Sequence, residues 1–511
     1  MFRVVTLATA DGGALETPRR QRPDVPEGPY VVAGLRRAGV AAVEALCRLA
    51  GSAEVIACDR SLAGVPKRVR HSLKAAGVQL YLGPQSEVEV LDSTPPPRAL
   101  IKSPGIRFDA PLIVLARQSG IAVLDEIELG WRTSHAPMLA VTGTNGKTTV
   151  ASLATAVLAA SGRSVSLAGN TELGPPLSAV DPGLDWIVCE VSSFQLEGCP
   201  ALMPEVAVFT NLSHDHLARH RTMRRYGQLK SRLFVRGDSA VRLAVIDIAD
   251  DFGRALADRV EAIGGRVVRI GFDRRCDYAI RSTRWDLRSA VVDLWTPTGG
   301  LVLQTRLPGL HNARNVAAVA ALGDLFGVGR AELAGTLATQ AGPPGRLEPL
   351  DFGQSHGLVL DCAASPAAVE QVLLAIRGGM NQCGRIHVVL GVLGSPDRAQ
   401  QYAMGRAARE LSDRLILTAG SLRPDPPLQA IEGLAAGAKS ARGATVEVFP
   451  RRGDAIRTAL LAARPPDVVA ILGRGDLSEA VSNTHIDDRT VLAELAHADP
   501  RDEQFRAVWQ R

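Results

Sequence analysis

The segment that most restricts the fold is Gly143-Thr144-Asn145-Gly146-Lys147-Thr148-Thr149, which follows the apolar run MLAVT and leads into VASLATAVLAA. A short apolar strand, a glycine-rich turn and a helix, in that order, form the setting of a phosphate-binding loop. Glycines let successive backbone N–H groups wrap an anion at the helix N-terminus. Lys147 adds a positive charge against β- and γ-phosphates, and the Thr148 hydroxyl can meet Mg²⁺. The glycines stand closer together than in the usual G-x-x-x-x-G-K-[ST] pattern. Downstream, Glu190 ends the apolar run WIVCE, where its carboxylate would face the loop across adjacent strand ends and could hold Mg²⁺. Asn211-Leu212-Ser213-His214-Asp215-His216 ends the run VAVFT in the same way, although its spacing is not a zinc pattern. Lys230, in YGQLKSRLF, reads by itself as a solvated helix lysine.

A phosphate loop of this kind belongs to an α/β fold, and 511 residues at about 150 per domain give roughly three domains. Residues 1–27, rich in Pro and Arg without hydrophobic periodicity, read as a loose extension. Residues 28–134 alternate short apolar strands and helices from Tyr30 onward, a small Rossmann-like unit. Its Gly34-Leu35-Arg36-Arg37-Ala38-Gly39 turn and Asp59 only loosely match a dinucleotide fingerprint, since Arg36 replaces the middle glycine. Residues 135–341 carry the P-loop, with RVVRIGF, SAVVDLW and LVLQTRL expected as an inserted or edge antiparallel element. The Ala341-Gly342-Pro343-Pro344-Gly345 break opens residues 342–511, a doubly wound domain with five buried-looking strands. A net charge of +5 is too small to suggest a nucleic-acid or membrane surface. No uncharged apolar run reaches membrane-spanning length and no signal-peptide core opens the chain, so a cytoplasmic protein is expected. Seven scattered cysteines without C-x-x-C spacing argue for reduced thiols.

Taken together, GTNGKTT, EVSSFQLE from Glu190 to Glu197, TNLSHDHLARH from Thr210 to His220, YGQLKSRLF and LPGLHNARNVAAVAA from Leu307 to Ala321 resemble the Mur ligases. These are ATP-dependent amide-forming enzymes of peptidoglycan precursor synthesis, a pathway tied to cell shape and division. Within the family, AGLRRAGVAA, SPGI, DEIELGWR and GNTELGPPL resemble the branch that adds D-glutamate to UDP-N-acetylmuramoyl-L-alanine.

The resemblance implies a UDP-sugar-binding first domain, an ATP-binding central domain and an amino-acid-binding third domain. It implies that Gly34, Asp59 and Ser103 lie near the UDP-sugar, with Asn170, Ser192 and Gln195 against its peptide end. Gly143, Thr144, Asn145, Gly146, Lys147, Thr148 and Thr149 would cradle ATP, Asn312 would approach the adenine, and Arg346 and Asp361 would close on phosphate and ribose. Thr148 and Glu190 would hold one Mg²⁺, and His216 and a carbamylated Lys230 a second. Lys147, Glu190, His216 and Lys230 are thus the expected catalytic set of a monomeric enzyme whose partners are UDP-N-acetylmuramoyl-L-alanine and glutamate. In the third block Asp361 is followed by Cys362-Ala363-Ala364-Ser365-Pro366, where glutamate-adding members carry Asp-Ser-Lys-Ala-Thr-Asn. That run is nearer the Asp-Tyr-Ala-His-Thr-Pro of diamino-acid-adding members, as are GVLGSPDR, GRGDL and IDDR, while Gly420-Ser421-Leu422-Arg423 stands where those members have Asp-Asn-Pro-Arg. The alternatives left open are another amino acid, L-glutamate or a diamino acid, and a catalytically weak nucleotide-binding relative.

Overall fold

The computed structural model describes residues 4–8, 14–18 and 21–497, other than 63, 94, 182, 381–382, 393–396, 421–428, 475–478 and 482–483. Residues 421–423 and parts of GVLGSPDR and GRGDL, noted above, therefore lie outside the described residues.

Three α/β units carry the chain. In the first, five parallel strands lie in the order Gln79–Leu82, Val55–Asp59, Tyr30–Ala33, Ala99–Lys102, Ala122–Asp125. The strand Tyr30–Ala33 is buried along its whole length, which is why it reads as a continuous apolar run. The helix Arg37–Ala50 starts after a turn in which Gly34 has φ +85°, and it passes so close that a Cβ on Gly39 would sit 1.7 Å from the Gly34 carbonyl oxygen.

The central sheet has nine strands, with Met138–Thr142 between Val206–Phe209 and Trp186–Glu190. Helices Lys147–Ala160, Leu310–Leu325 and Arg330–Thr339 cover one face through Leu153, Val157, Val316, Val319 and Leu333. Asp251–Ala262 covers the other through Leu256 and Val260. The expected antiparallel element is present but differently composed. Arg266–Gly271, from RVVRIGF, pairs in parallel with Leu243–Asp247. The antiparallel edge is instead Tyr278–Trp285, Ala290–Thr296 and Gly299–Thr305. Tyr278–Trp285 buries only its first three residues before turning polar and exposed, so its apolar signal was too short to mark a strand.

The third sheet runs Glu348–Pro349, Gly357–Asp361, Val468–Leu472, Ile386–Leu390, Arg414–Leu417, Thr445–Val448, parallel except for the first. Helices Pro366–Gly379 and Arg398–Leu411 pack on one face and Arg452–Ala462 on the other, the doubly wound pattern expected.

The N-terminal segment is less loose than its composition suggests. Val4–Ala8 pairs antiparallel with Ala14–Pro18. Arg22 donates to the carbonyls of Trp131 at 2.7 Å, Ala136 at 2.6 Å and Ser134, all in the link between the first and central sheets. A planar guanidinium satisfies several carbonyls at once, which is how a polar segment is held without a hydrophobic face.

Candidate active site

Met138–Thr142 delivers the phosphate loop at its C-terminal end, where the helix Lys147–Ala160 begins. The loop is held from the neighbouring strand end. Asn211 accepts from the Asn145 N–H at 3.0 Å and returns a bond to the Asn145 carbonyl at 3.0 Å, and Thr210 Oγ1 donates to the same carbonyl at 2.6 Å. Two glycines are required by contact as well as by backbone. A Cβ on Gly143 would lie 1.9 Å from Thr210 Oγ1, and one on Gly146 would lie 2.6 Å from Asn315 Oδ1. Lys147 Nζ donates to the Thr144 carbonyl at 2.8 Å, and burial lowers its pKa, opposed by the Glu190 charge.

Glu190 joins three parts of the site. Its Oε2 accepts from Thr148 Oγ1 at 2.7 Å, and its Oε1 accepts from Asn170 Nδ2 at 3.3 Å. A carboxylate and a hydroxyl at the head of a phosphate loop are hard oxygen donors that fit Mg²⁺, which keeps several waters and needs few protein ligands. No group of three or more His, Cys, Asp or Glu side chains suited to a metal occurs among the described residues.

Lys230 is buried rather than solvated. It is 1% exposed, its Nζ lies 4.5 Å from the centre of the Tyr226 ring and donates to the Gly143 carbonyl at 2.5 Å. Burial, reinforced by the Lys147 charge, holds its pKa well below the ordinary lysine value, which favours the neutral, nucleophilic amine. His216 sits nearby at φ +55°, with Nδ1 3.5 Å from Asp215 Oδ1 and its ring 4.8 Å from Phe194. Burial lowers its pKa, so the imidazole is kept neutral and able to act as a ligand.

Asn312 and Asn315 are both buried on Leu310–Leu325, with Asn312 Nδ2 on the Pro308 carbonyl at 2.8 Å and Asn315 Nδ2 on Asn312 Oδ1 at 2.9 Å. From the third block, Asp361 accepts the N–H groups of Leu347 at 2.5 Å and Ala363 at 2.7 Å. Burial pushes its pKa up to about 6 against the Arg346 charge.

These groups surround one cavity of about 560 Å³ that all three blocks line. The loop from Thr144 to Thr149 forms its floor with Asn170, Glu190, Gln195 and His216. His311, Asn312, Asn315, Arg346 and Asp361 close one side, and Arg37, Pro104 and Glu126 the other. Six sequence-read residues stand apart from this lining. Gly34, Asp59 and Ser103 form their own cluster at the C-terminal edge of the first sheet, where Asp59 accepts the Leu35 and Ser61 N–H groups, each at 2.8 Å, and Ser103 Oγ donates to the Gly34 carbonyl at 2.7 Å. Ser192 caps the helix Ser193–Leu196 in a reciprocal arrangement with Gln195. Gly143, at the start of the loop, and Lys230, bonded to its carbonyl, are also absent from the cavity wall.

A model described as the Mur ligase middle domain matches residues 141–323, and one described as Mur ligase, glutamate ligase domain, matches residues 345–475. The UDP-N-acetylmuramoylalanine–D-glutamate ligase of Rhizobium etli is 31% identical over 400 residues, covering 75% of this chain and 81% of that protein. The chain belongs to the Mur ligase family. This Mur ligase is an ATP-dependent amide-bond-forming enzyme of peptidoglycan precursor synthesis. It is also 29% identical over 427 residues to the UDP-N-acetylmuramoyl-L-alanyl-D-glutamate–2,6-diaminopimelate ligase of Geobacillus thermodenitrificans, covering 77% of this chain and 86% of the relative. The fold matches the UDP-N-acetylmuramate-alanine ligase structure from Thermotoga maritima with a TM-score of 0.59 at 20% identity, covering 88% and 96% of the two chains. Among the described residues, no helix of this Mur ligase is long and apolar enough to cross a membrane.

Sequence reasoning missed several residues of the cavity. Asp215 accepts from Gln400 of the third block at 3.1 Å, Asn315 packs where a Gly146 side chain would begin, and Arg37 donates to the Gly174 carbonyl at 2.8 Å across the first and central units. Arg219 pairs with Glu197 at 2.6 Å and donates to the first-block Ile106 carbonyl at 3.0 Å. Asp215 and Asn315 stand inside quoted motifs and could have been found there. Arg37 and Gln400 act across blocks and leave no local signal.

Proposed function

We propose that this ligase adds D-glutamate to UDP-N-acetylmuramoyl-L-alanine, in the cytoplasm and as a monomer. Residues 28–134 would bind the UDP-sugar, 135–341 ATP and 342–511 the amino acid, with 1–27 as an extension. The observation that carries the reading is the single cavity in which the phosphate loop, the Glu190 carboxylate and side chains of all three blocks converge. The 31% identity to a D-glutamate-adding relative supports the choice of amino acid.

The chemistry follows from charge. An L-alanyl carboxylate oxygen attacks the γ-phosphorus of ATP, the bond to the β-phosphate oxygen breaks, and ADP leaves an acyl phosphate. The glutamate amine then attacks the acyl carbon, loses a proton, and phosphate departs as the amide forms. Both reactants of the first step are anions, so positive charge must lie between them. Lys147 and the loop N–H groups supply it from the protein, with Gly143, Thr144, Asn145, Gly146, Thr148 and Thr149 wrapping the phosphates. Mg²⁺, held by Thr148 and Glu190 and at a second position by His216 and modified Lys230, would add charge neutralisation. The neutral Lys230 amine suits carbamylation: its nitrogen lone pair attacks CO₂, an N–C bond forms and the ammonium proton passes to water, which converts a buried base into an oxygen ligand. Asn312, Arg346 and Asp361 would orient the nucleotide, and Asn170 and Gln195 the peptide end of the UDP-sugar. Gly34, Asp59 and Ser103 would order the turn that receives its nucleotide, and Ser192 would hold Gln195. Because water destroys an acyl phosphate, the third block would close on the central one about residues 342–345.

A second reading, addition of a diamino acid or of L-glutamate, is favoured by the turn Cys362-Ala363-Ala364-Ser365, which lines the cavity without the lysine of glutamate-adding relatives. Phosphate release with ATP, UDP-N-acetylmuramoyl-L-alanine and a panel of amino acids separates the readings. Release with D-glutamate alone is expected; release only with another amino acid, on this acceptor or on UDP-N-acetylmuramoyl-L-alanyl-D-glutamate, would establish the second reading, and none with either acceptor would reject both.

A further inference from the structure

A second cavity, of about 680 Å³, lies on the other side of the segment linking the central and third blocks. Thr305 and Ala290 on the edge strands of the central sheet form one wall, and Leu347 and Glu348 at the start of the third block form the other. Its lining is strongly basic. Arg288, Arg306 and Arg346 converge on it, and the one carboxylate, Glu348, already accepts from Arg489 at 2.6 Å and from the Gly345 N–H at 2.8 Å. Arg288 donates to Asp351 at 3.0 Å, whereas Arg306 has no ion pair among the described residues. A separate observation points to a missing partner. Thr305 is 2% exposed, and its hydroxyl oxygen is buried without a hydrogen-bond partner among the described residues, although a buried hydroxyl left unpaired is costly.

We propose that this cavity binds a small phosphate-bearing anion, gripped by Arg288, Arg306 and Arg346 and by the Thr305 hydroxyl. Guanidinium groups match phosphate oxygens in a bidentate fork, and three of them around a half-enclosed space suit a compact multivalent anion better than a neutral or cationic ligand. An occupant would contact both the edge of the central sheet and the first residues of the third block, and so would tie the two across their link. Arg346 lines this cavity and the catalytic one, which gives the two a shared side chain through which occupancy of one is felt at the other. The site is independent of which amino acid the enzyme adds.

Pyrophosphate is the probe, titrated calorimetrically into the full-length protein with its phosphate loop saturated by a non-hydrolysable ATP analogue. One further binding event is expected, weakened about tenfold or more by Arg306→Gln and also weakened by Thr305→Val, with the KM for ATP unchanged in both. Citrate, a carboxylate anion of similar charge, should bind less tightly. The proposal is overturned if pyrophosphate binds only when the analogue is absent, if neither substitution alters its affinity, or if citrate binds equally well.

Discussion

Two buried ionisable side chains give this ligase properties that its composition does not announce. Lys230 has its amine against the Gly143 carbonyl and the Tyr226 face, out of water and near a second lysine, so the charged form is disfavoured. Lys230→Ala should lower turnover by roughly a hundredfold and regain part of it with added short-chain carboxylates, because a free carboxylate can stand where the modified lysine was. Full activity in the variant would remove the carbamate from the account. Glu126, the first residue of the helix Glu126–Thr133, accepts both the N–H and the hydroxyl of Ser178 at 2.7 Å, and burial raises its pKa from 4.5 to about 7. A raised value means that the folded chain holds the proton more tightly than the unfolded one. Its favourable contribution is complete below pH 4.5 and is lost as pH rises through about 7. Glu126→Gln keeps the accepting oxygen and never ionises, so its Tm advantage over the native chain should grow across that window. A difference that stays constant with pH would contradict this.

The phosphate loop is an element whose conformation is imposed from outside it. Gly143, at φ +154°, has Thr210 Oγ1 where a side chain would begin, and Thr210 in turn holds the Asn145 carbonyl. Gly143→Ala should therefore weaken ATP binding by roughly a hundredfold, read by equilibrium titration, while the far-ultraviolet circular dichroism stays native; unaltered affinity would show that the loop tolerates the displacement. The loop, its strand and its helix were legible in the sequence because each depends on residues a few positions apart. Glu190 was read from the end of its strand, whereas His216 and Asn312 came forward as site residues only through the family resemblance; all three line the cavity. The burial of Lys230 was not legible from its own helix, since the groups that cover it, Tyr226 apart, come from the loop far away in sequence. The strand Tyr278–Trp285 was likewise invisible because its pairing with Ala290–Thr296, rather than its own three-residue apolar start, defines it.

At the scale of the whole molecule, arginines and one glutamine are among the groups that join the blocks. Arg22 spans the link between the first two sheets, Arg37 and Arg219 reach between their units, and Gln400 bridges Asp215 to the third-block Ala364 carbonyl at 2.7 Å. They act beside apolar packing, since Ile127 and Trp131 of the first block lie in one core with Leu202 and Phe209 of the central block, and the Trp285 indole donates to the third-block Ala375 carbonyl at 2.8 Å. None of the polar contacts is readable from periodicity, because each joins segments that composition treats as unrelated surface. An acyl phosphate is proposed to form in the cavity they shape. The direct measurement starts with UDP-N-acetylmuramoyl-L-alanine labelled with heavy oxygen in its carboxylate, turned over with ATP and D-glutamate. If the carboxylate attacks phosphorus, labelled oxygen is transferred to the released phosphate, detected by mass spectrometry. Product formed with all of the released phosphate unlabelled would contradict the account.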